Sequence, residues 1–194
     1  MASRLGDRLS RRHTRGMDIG GGAHATLFLP PDVAAPLDQI RRVFDPAFAA
    51  QIGLHATLTY PDETPHPGLL AQRLDELGEW SGPIPLLLTE VVPYGEPPDP
   101  RRGLQVRTDD VSGAYLGARA QLLAPPCTPH GVDEAVPHIT LVHPITSQRG
   151  PEAWAALAGR RIDTEVTIER VALVAWDGAG WPSSKVVRLT GGPW

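Results

Sequence analysis

Two four-residue stretches, His55-Ala56-Thr57-Leu58 and His138-Ile139-Thr140-Leu141, repeat the pattern His-x-Thr-Leu 83 residues apart. Imidazole changes protonation near neutral pH, so it serves as general acid or general base. A threonine hydroxyl donates a hydrogen bond to an oxygen that is gaining negative charge. Two of each around one small anion make a kit for acid–base chemistry on a phosphodiester. One imidazole removes a proton from the attacking oxygen and the other delivers one to the leaving oxygen. No metal enters that scheme.

The spacing also dictates the element that must carry each pair. In a β-strand, side chains at i and i+2 share a face. Residues 54–60 and 137–143 alternate in that way. His55 and Thr57 then project together, as do His138 and Thr140, while Ala56, Leu58, Ile139 and Leu141 turn to a core. Residues 23–29 alternate and stop at Pro30-Pro31, which predicts a first strand. A helix follows from Asp32, with Pro36 in its first turn and Leu37, Ile40, Val43 and Phe44 at helical spacing, until Asp45-Pro46 interrupts it. After the first motif come a loop over 61–68, a helical stripe of Leu69, Leu70, Leu74 and Leu77, and a buried strand over 84–92. The series then repeats, with a strand over 104–107, a helix capped by Asp109 or Asp110 and running to about Leu123, and a loop over 124–137. The second motif strand, a helix over 151–158, one or two strands over 162–176 and a last strand over 185–189 complete it. Two such rounds predict an α+β protein of two pseudo-symmetric lobes, with the Pro-rich stretch 95–102 as the boundary between them.

Composition sets the outer limits. Hydrophobic residues make up 41% of the 194, ordinary for a globular chain. No apolar run approaches the ~20 residues that span a bilayer, and the N-terminus lacks the apolar core of a secretory signal. The single cysteine, Cys127, permits no intrachain disulfide and no thiolate zinc site, so the expected location is the cytoplasm. The net charge is −4, yet residues 1–16 hold five arginines against Asp7 alone. Residues 1–21 are therefore expected to form a flexible basic arm and 22–194 an acidic body. An acidic body disfavours non-specific binding along a nucleic-acid backbone, but leaves room for a nucleotide or RNA end in a local pocket. No membrane contact and no obligate protein partner is expected.

On its paired motifs the chain resembles the 2H phosphoesterase superfamily. Through His55-Ala56-Thr57-Leu58-Thr59-Tyr60-Pro61 it most resembles the bacterial 2′-5′ RNA ligase-like branch, over about residues 22–190. The resemblance implies a bilobal, pseudo-symmetric fold of two antiparallel sheets flanked by helices around a central cleft. It implies cofactor-free cleavage of 2′,3′-cyclic phosphates or 2′-5′ linkages of nucleotides or RNA ends, with reversible 2′-5′ joining in some members. His55 and His138 become the acid–base pair, in an order left open, and Thr57 and Thr140 the phosphate holders. The alternatives are a phosphodiesterase for another cyclic nucleotide-derived small molecule, and a non-catalytic nucleotide-binding module. Many members carry a basic residue shortly after the second motif, where this chain reads Val142-His143-Pro144. Period-2 counting groups 142 with 138 and 140, so His143 reaches the motif face only if the strand bulges.

Other residues are weighed against those four. His24-Ala25-Thr26-Leu27 is a third match, but it lies only 31 residues before His55, too close for separate lobes. His24 is thus either a substrate contact or a polar residue on a sheet face. Tyr60, Tyr94, Trp176 and Trp181 fall at strand ends or loops, where a base could stack or a rim could pack. His24, Tyr60, His143 and Trp176 are the candidate substrate contacts. Arg101, Arg102 and Arg107 are candidate phosphate or ribose contacts. Asp62, Glu63 and His66, and likewise His130, Asp133 and Glu134, lack a compact ligand spacing and are read as solvated loop residues. No metal site is expected.

Overall fold

The computed structural model describes residues 22–64, 66–94, 103–131 and 136–192. The basic arm over 1–21, the stretch 95–102 with Arg101 and Arg102, and Asp133 and Glu134 lie outside them. The first part runs β1 (Ala23–Phe28), α1 (Pro31–Phe44), α2 (Pro46–Gln51), β2 (His55–Thr57), α3 (Pro67–Trp80) and β3 (Ile84–Tyr94). The second runs β4 (Gly103–Asp109), α4 (Ala114–Leu122), β5 (His138–Val142), α5 (Gly150–Leu157), β6 (Arg161–Ile168), β7 (Arg170–Ala175) and β8 (Ser183–Arg188).

Element order follows the sequence patterning with one added element, the short helix α2, and the other differences lie at element ends. Helix α1 begins at Pro31, whose missing N–H is no loss in a first turn, so Pro36 sits further inside than expected. Asp45 does more than interrupt that helix. Its Oδ1 accepts from Phe48 N at 3.1 Å and caps α2, restarting the helix at Pro46. Helix α4 starts only at Ala114, after Gly113 in the left-handed region (φ +77°). Asp110 still reaches its first turn, where Oδ2 accepts from Leu116 N at 3.0 Å.

The strands form one eight-stranded sheet in the order β6-β3-β4-β5-β2-β1-β7-β8, with every neighbouring pair antiparallel. The two expected sheets are its two four-stranded halves, meeting at β5 and β2. About that seam β5 corresponds to β2 and β4 to β1, each motif strand following a strand and a helix. Strand β3 pairs with β4, β6 with β3 and β4 with β5, so these four strands form one half. The chain thus changes halves between α3 and β3, ahead of 95–102, and returns between β6 and β7.

A single apolar cluster spans both halves. It joins Leu27, Ala56, Val106 and Ile139 from the strands to Leu37, Leu74, Tyr115 and Ala153 from α1, α3, α4 and α5. These four helices therefore cover one face of the sheet, while Phe48 of α2 packs in a smaller cluster with Ile52, Ala172 and Val174 on the other. The opposite face carries His55, Thr57, His138 and Thr140.

Candidate functional site: the β2–β5 seam

Ala56 and Ile139 are the paired residues of β2 and β5, and both are fully buried. Continuing the antiparallel register by one residue sets His55 opposite Thr140 and Thr57 opposite His138. The two His-x-Thr pairs thus lie side by side and crosswise, with all four side chains half-buried on one face. Strand β2 ends at Thr57 because the next residues wrap around Ala25. Leu58 N and Thr59 N both donate to Ala25 O (2.9 and 3.1 Å), and Thr59 Oγ1 accepts from Ala25 N at 2.9 Å.

The two imidazoles are held alike. His55 Nδ1 donates to Gly53 O at 2.7 Å and His138 Nδ1 to Val136 O at 3.1 Å, in each case the carbonyl two residues upstream. A carbonyl only accepts, so each ring, when neutral, carries its proton on Nδ1 and its lone pair on Nε2.

Two bulges decide what flanks this quartet. In β5, Thr140 pairs with Gln105 and Val142 with Leu104, so Leu141 is an extra residue. Val142 therefore turns into the core, fully buried, and His143 comes to the side of Tyr94 (ring centroids 6.4 Å), whose ring is 6.2 Å from His138. His143 Nδ1 accepts from Ile145 N at 3.2 Å, which leaves the ring proton on Nε2. In β3, Leu88 pairs with Thr108 and Glu90 with Arg107, so Thr89 is the extra residue. Leu88 is buried, and the bulge moves Glu90 to the opposite face, where its Oε1 meets Arg107 Nη1 at 3.0 Å.

The electrostatics favour a neutral His55. Close packing lowers its pKa to about 4, and the charges of Arg41 and of His138, when protonated, push the same way against the Gly53 hydrogen bond. Arg41 is fully buried, with its own pKa lowered by desolvation to about 10, and lies over the Phe48 ring at 4.3 Å. Its Nη2 donates to Phe48 O (2.9 Å) and Ile52 O (2.6 Å), which pins the turn that leads into His55. His24 is 6% exposed, behind Trp181 (4.7 Å) and 6.5 Å from His55. Burial, then the His55 charge, lower its pKa to about 3. It is a buried neutral neighbour of His55.

Each motif strand is braced from the other half. Asp45 Oδ2 accepts from His143 N (2.9 Å) and Thr146 Oγ1 (2.7 Å), just past the second motif. Past the first motif, Tyr115 Oη donates to Thr57 O (2.6 Å) and Arg119 Nη1 to Leu58 O (2.7 Å). Arg119 pairs with Glu63, which also accepts from Tyr60 N and His130 N, both at 2.7 Å. Solvation of a loop therefore fails as an account of Glu63, which is 1% exposed and bound on every side. Sequence reasoning missed Arg41, Asp45, Tyr115 and Arg119, because no local pattern marks a charged or hydroxyl side chain whose partner is brought to it only by folding.

Of the remaining candidates, Tyr60 stacks on His130 (5.1 Å), which also contacts Asp62 Oδ2 at 3.1 Å. Trp176 lies 5.4 Å from Trp181, at the far end of β7. Cys127 is a half-buried thiol beside Arg73. Among the described residues no three His, Cys, Asp or Glu side chains converge so as to hold a metal, and no helix is long and apolar enough to cross a membrane.

Comparison with known proteins adds three findings. A family model for the 2′-5′ RNA ligase superfamily matches residues 29–180. No curated protein sequence matches this one. Solved structures of similar fold include TT0787 of Thermus thermophilus (20% identity, TM-score 0.57, covering 88% of this chain and 98% of that one). Others are E. coli LigT in apo form (17%, TM-score 0.59, 89% and 99%) and LigT complexed with 3′-AMP (18%, TM-score 0.54, 88% and 98%). At these identities the likeness is one of fold.

Proposed function

We propose that this chain, which belongs to the 2′-5′ RNA ligase superfamily, cleaves 2′,3′-cyclic phosphates at nucleotide or RNA ends without a metal. Membership makes it a 2H phosphoesterase or ligase-like enzyme, and the finer reading rests on the seam. The observation that carries it is the crossed quartet, in which each imidazole lies beside the other motif's threonine and both rings are locked in one tautomer.

His55 is the general base. Its pKa is lowered to about 4, so its Nε2 accepts the proton of an attacking water as the new P–O bond forms. His138 is the general acid and protonates the ribose oxygen as the old P–O bond breaks. Thr57 and Thr140 donate to the non-bridging oxygens, where charge accumulates. In the joining direction the two histidines exchange roles. A nucleotide end is consistent with the 3′-AMP complex of LigT, a protein of the same fold.

The test is hydrolysis of 2′,3′-cyclic nucleotides and a short cyclic-phosphate RNA in EDTA, with the 2′- and 3′-phosphate products separated. Wild type turns over, and His55→Ala and His138→Ala each lose at least about a hundredfold in kcat. Wild type that binds these compounds and turns over none makes the protein a binding module. Activity that EDTA abolishes sinks the metal-free mechanism.

A further inference from the structure

The pseudo-two-fold of the seam breaks at the residues that face the two motifs, most sharply at those opposite the histidines. On β1, the residue opposite His55 is Phe28, whose ring lies edge-on to it at 6.1 Å. On β4, the residue opposite His138 is Arg107. At these cross-strand positions one imidazole faces an aromatic ring and the other a cation, while Tyr94 also lies 6.2 Å from His138. No charged residue stands at 142, since the β5 bulge turns Val142 into the core.

Arg107 is also built to hold its position. Its Nη1 meets Glu90 Oε1 at 3.0 Å and its Nε donates to Thr89 Oγ1 at 3.3 Å. Both partners stand where the β3 bulge puts them. These two contacts use Nε and Nη1 and leave Nη2 for a ligand, with the side chain half exposed. A braced fork of this kind suits phosphate better than an unbraced lysine does, because little ordering remains to be done on binding.

The contacts also draw the guanidinium away from the seam, toward β3. Neighbouring strands lie about 4.8 Å apart, so the space between β4 and β3 is two spacings, roughly 10 Å, from the middle of β2 and β5. A phosphate at the quartet is out of hydrogen-bond range of a group there. We propose that Arg107 holds a second phosphate, that of the nucleotide next to the one being cleaved. The preferred substrate is then an oligonucleotide end and not a mononucleotide. This inference rests on the proposed function, and it gives the substrate a direction, with its phosphate on the β4 side of the seam and its base on the Phe28 side.

Binding separates the two ideas because it needs no turnover. Affinities of the full chain for adenosine 2′-monophosphate and adenosine 2′,5′-bisphosphate are measured by calorimetry for wild type, Arg107→Ala and Arg107→Lys. Thermal midpoints check that each variant is folded. Wild type prefers the bisphosphate by about tenfold or more, Arg107→Ala abolishes that preference, and Arg107→Lys keeps part of it. Equal affinities in wild type, or a preference that survives in folded Arg107→Ala, overturn the assignment. Cyclic-phosphate turnover, measured separately, decides the proposed function: a wild type that shows the preference and cleaves nothing defeats the hydrolysis and leaves Arg107 its role.

Discussion

Ala56 on β2 is the partner of Ile139 on β5, and from that one pairing follows the placement of each motif threonine opposite the other motif's histidine. The arrangement is nearly two-fold, so the two threonines face equivalent tasks. Thr57→Val and Thr140→Val keep the shape and lose the donor. Each is expected to lower kcat by about a hundredfold, with KM changed far less. Steady-state kinetics on a 2′,3′-cyclic nucleotide test this, and a loss confined to KM would show ground-state binding only.

The pH profile should be displaced to acid. With His55 held at about 4 by packing and by Arg41 and His138, the base is already deprotonated at pH 6. The acid limb of kcat/KM is therefore expected near pH 4 to 5, well below the ordinary histidine value of ~6.5. A limb at 6.5 would remove His55 from the role of base.

Stability should also fall in acid, for a separate reason. His24 binds a proton near pH 6.5 when unfolded but only near pH 3 when folded. Between those values the unfolded state holds more protons, so its share of stability is complete above pH 6.5 and declines as pH drops toward 3. Urea denaturation at pH 7.5 and pH 5 should show the loss. His24→Phe should flatten the dependence, and an unchanged slope in that variant would mean that other groups cause it.

The Glu63–Arg119 pair ties the end of the first motif to α4 out of contact with water. Glu63→Ala strands a buried guanidinium and frees Tyr60 N and His130 N from their acceptor. The expected cost is about 3–5 kcal/mol, read as a shift in denaturation midpoint. A loss below about 1 kcal/mol would mean that the cluster opens readily to solvent.

Local patterning determined much of this molecule. Period-2 alternation marked both motif strands and the faces of His55, Thr57, His138 and Thr140, because the side-chain geometry of a strand depends on nothing beyond the strand itself. Proline, glycine and helical spacing placed the helices for the same reason. Tertiary structure decided what has no local signature. The seam between β2 and β5 depends on pairing across 83 residues, and the two bulges that move His143 and Glu90 to the motif face are register shifts between strands. The buried charges tell the same story. Glu63 read as a solvated loop acid and Asp45 as a helix breaker, since a carboxylate shows its role only once a distant chain brings Arg119 or His143 against it. Spacing along the chain dictates orientation, whereas adjacency, burial and proton affinity belong to the folded whole.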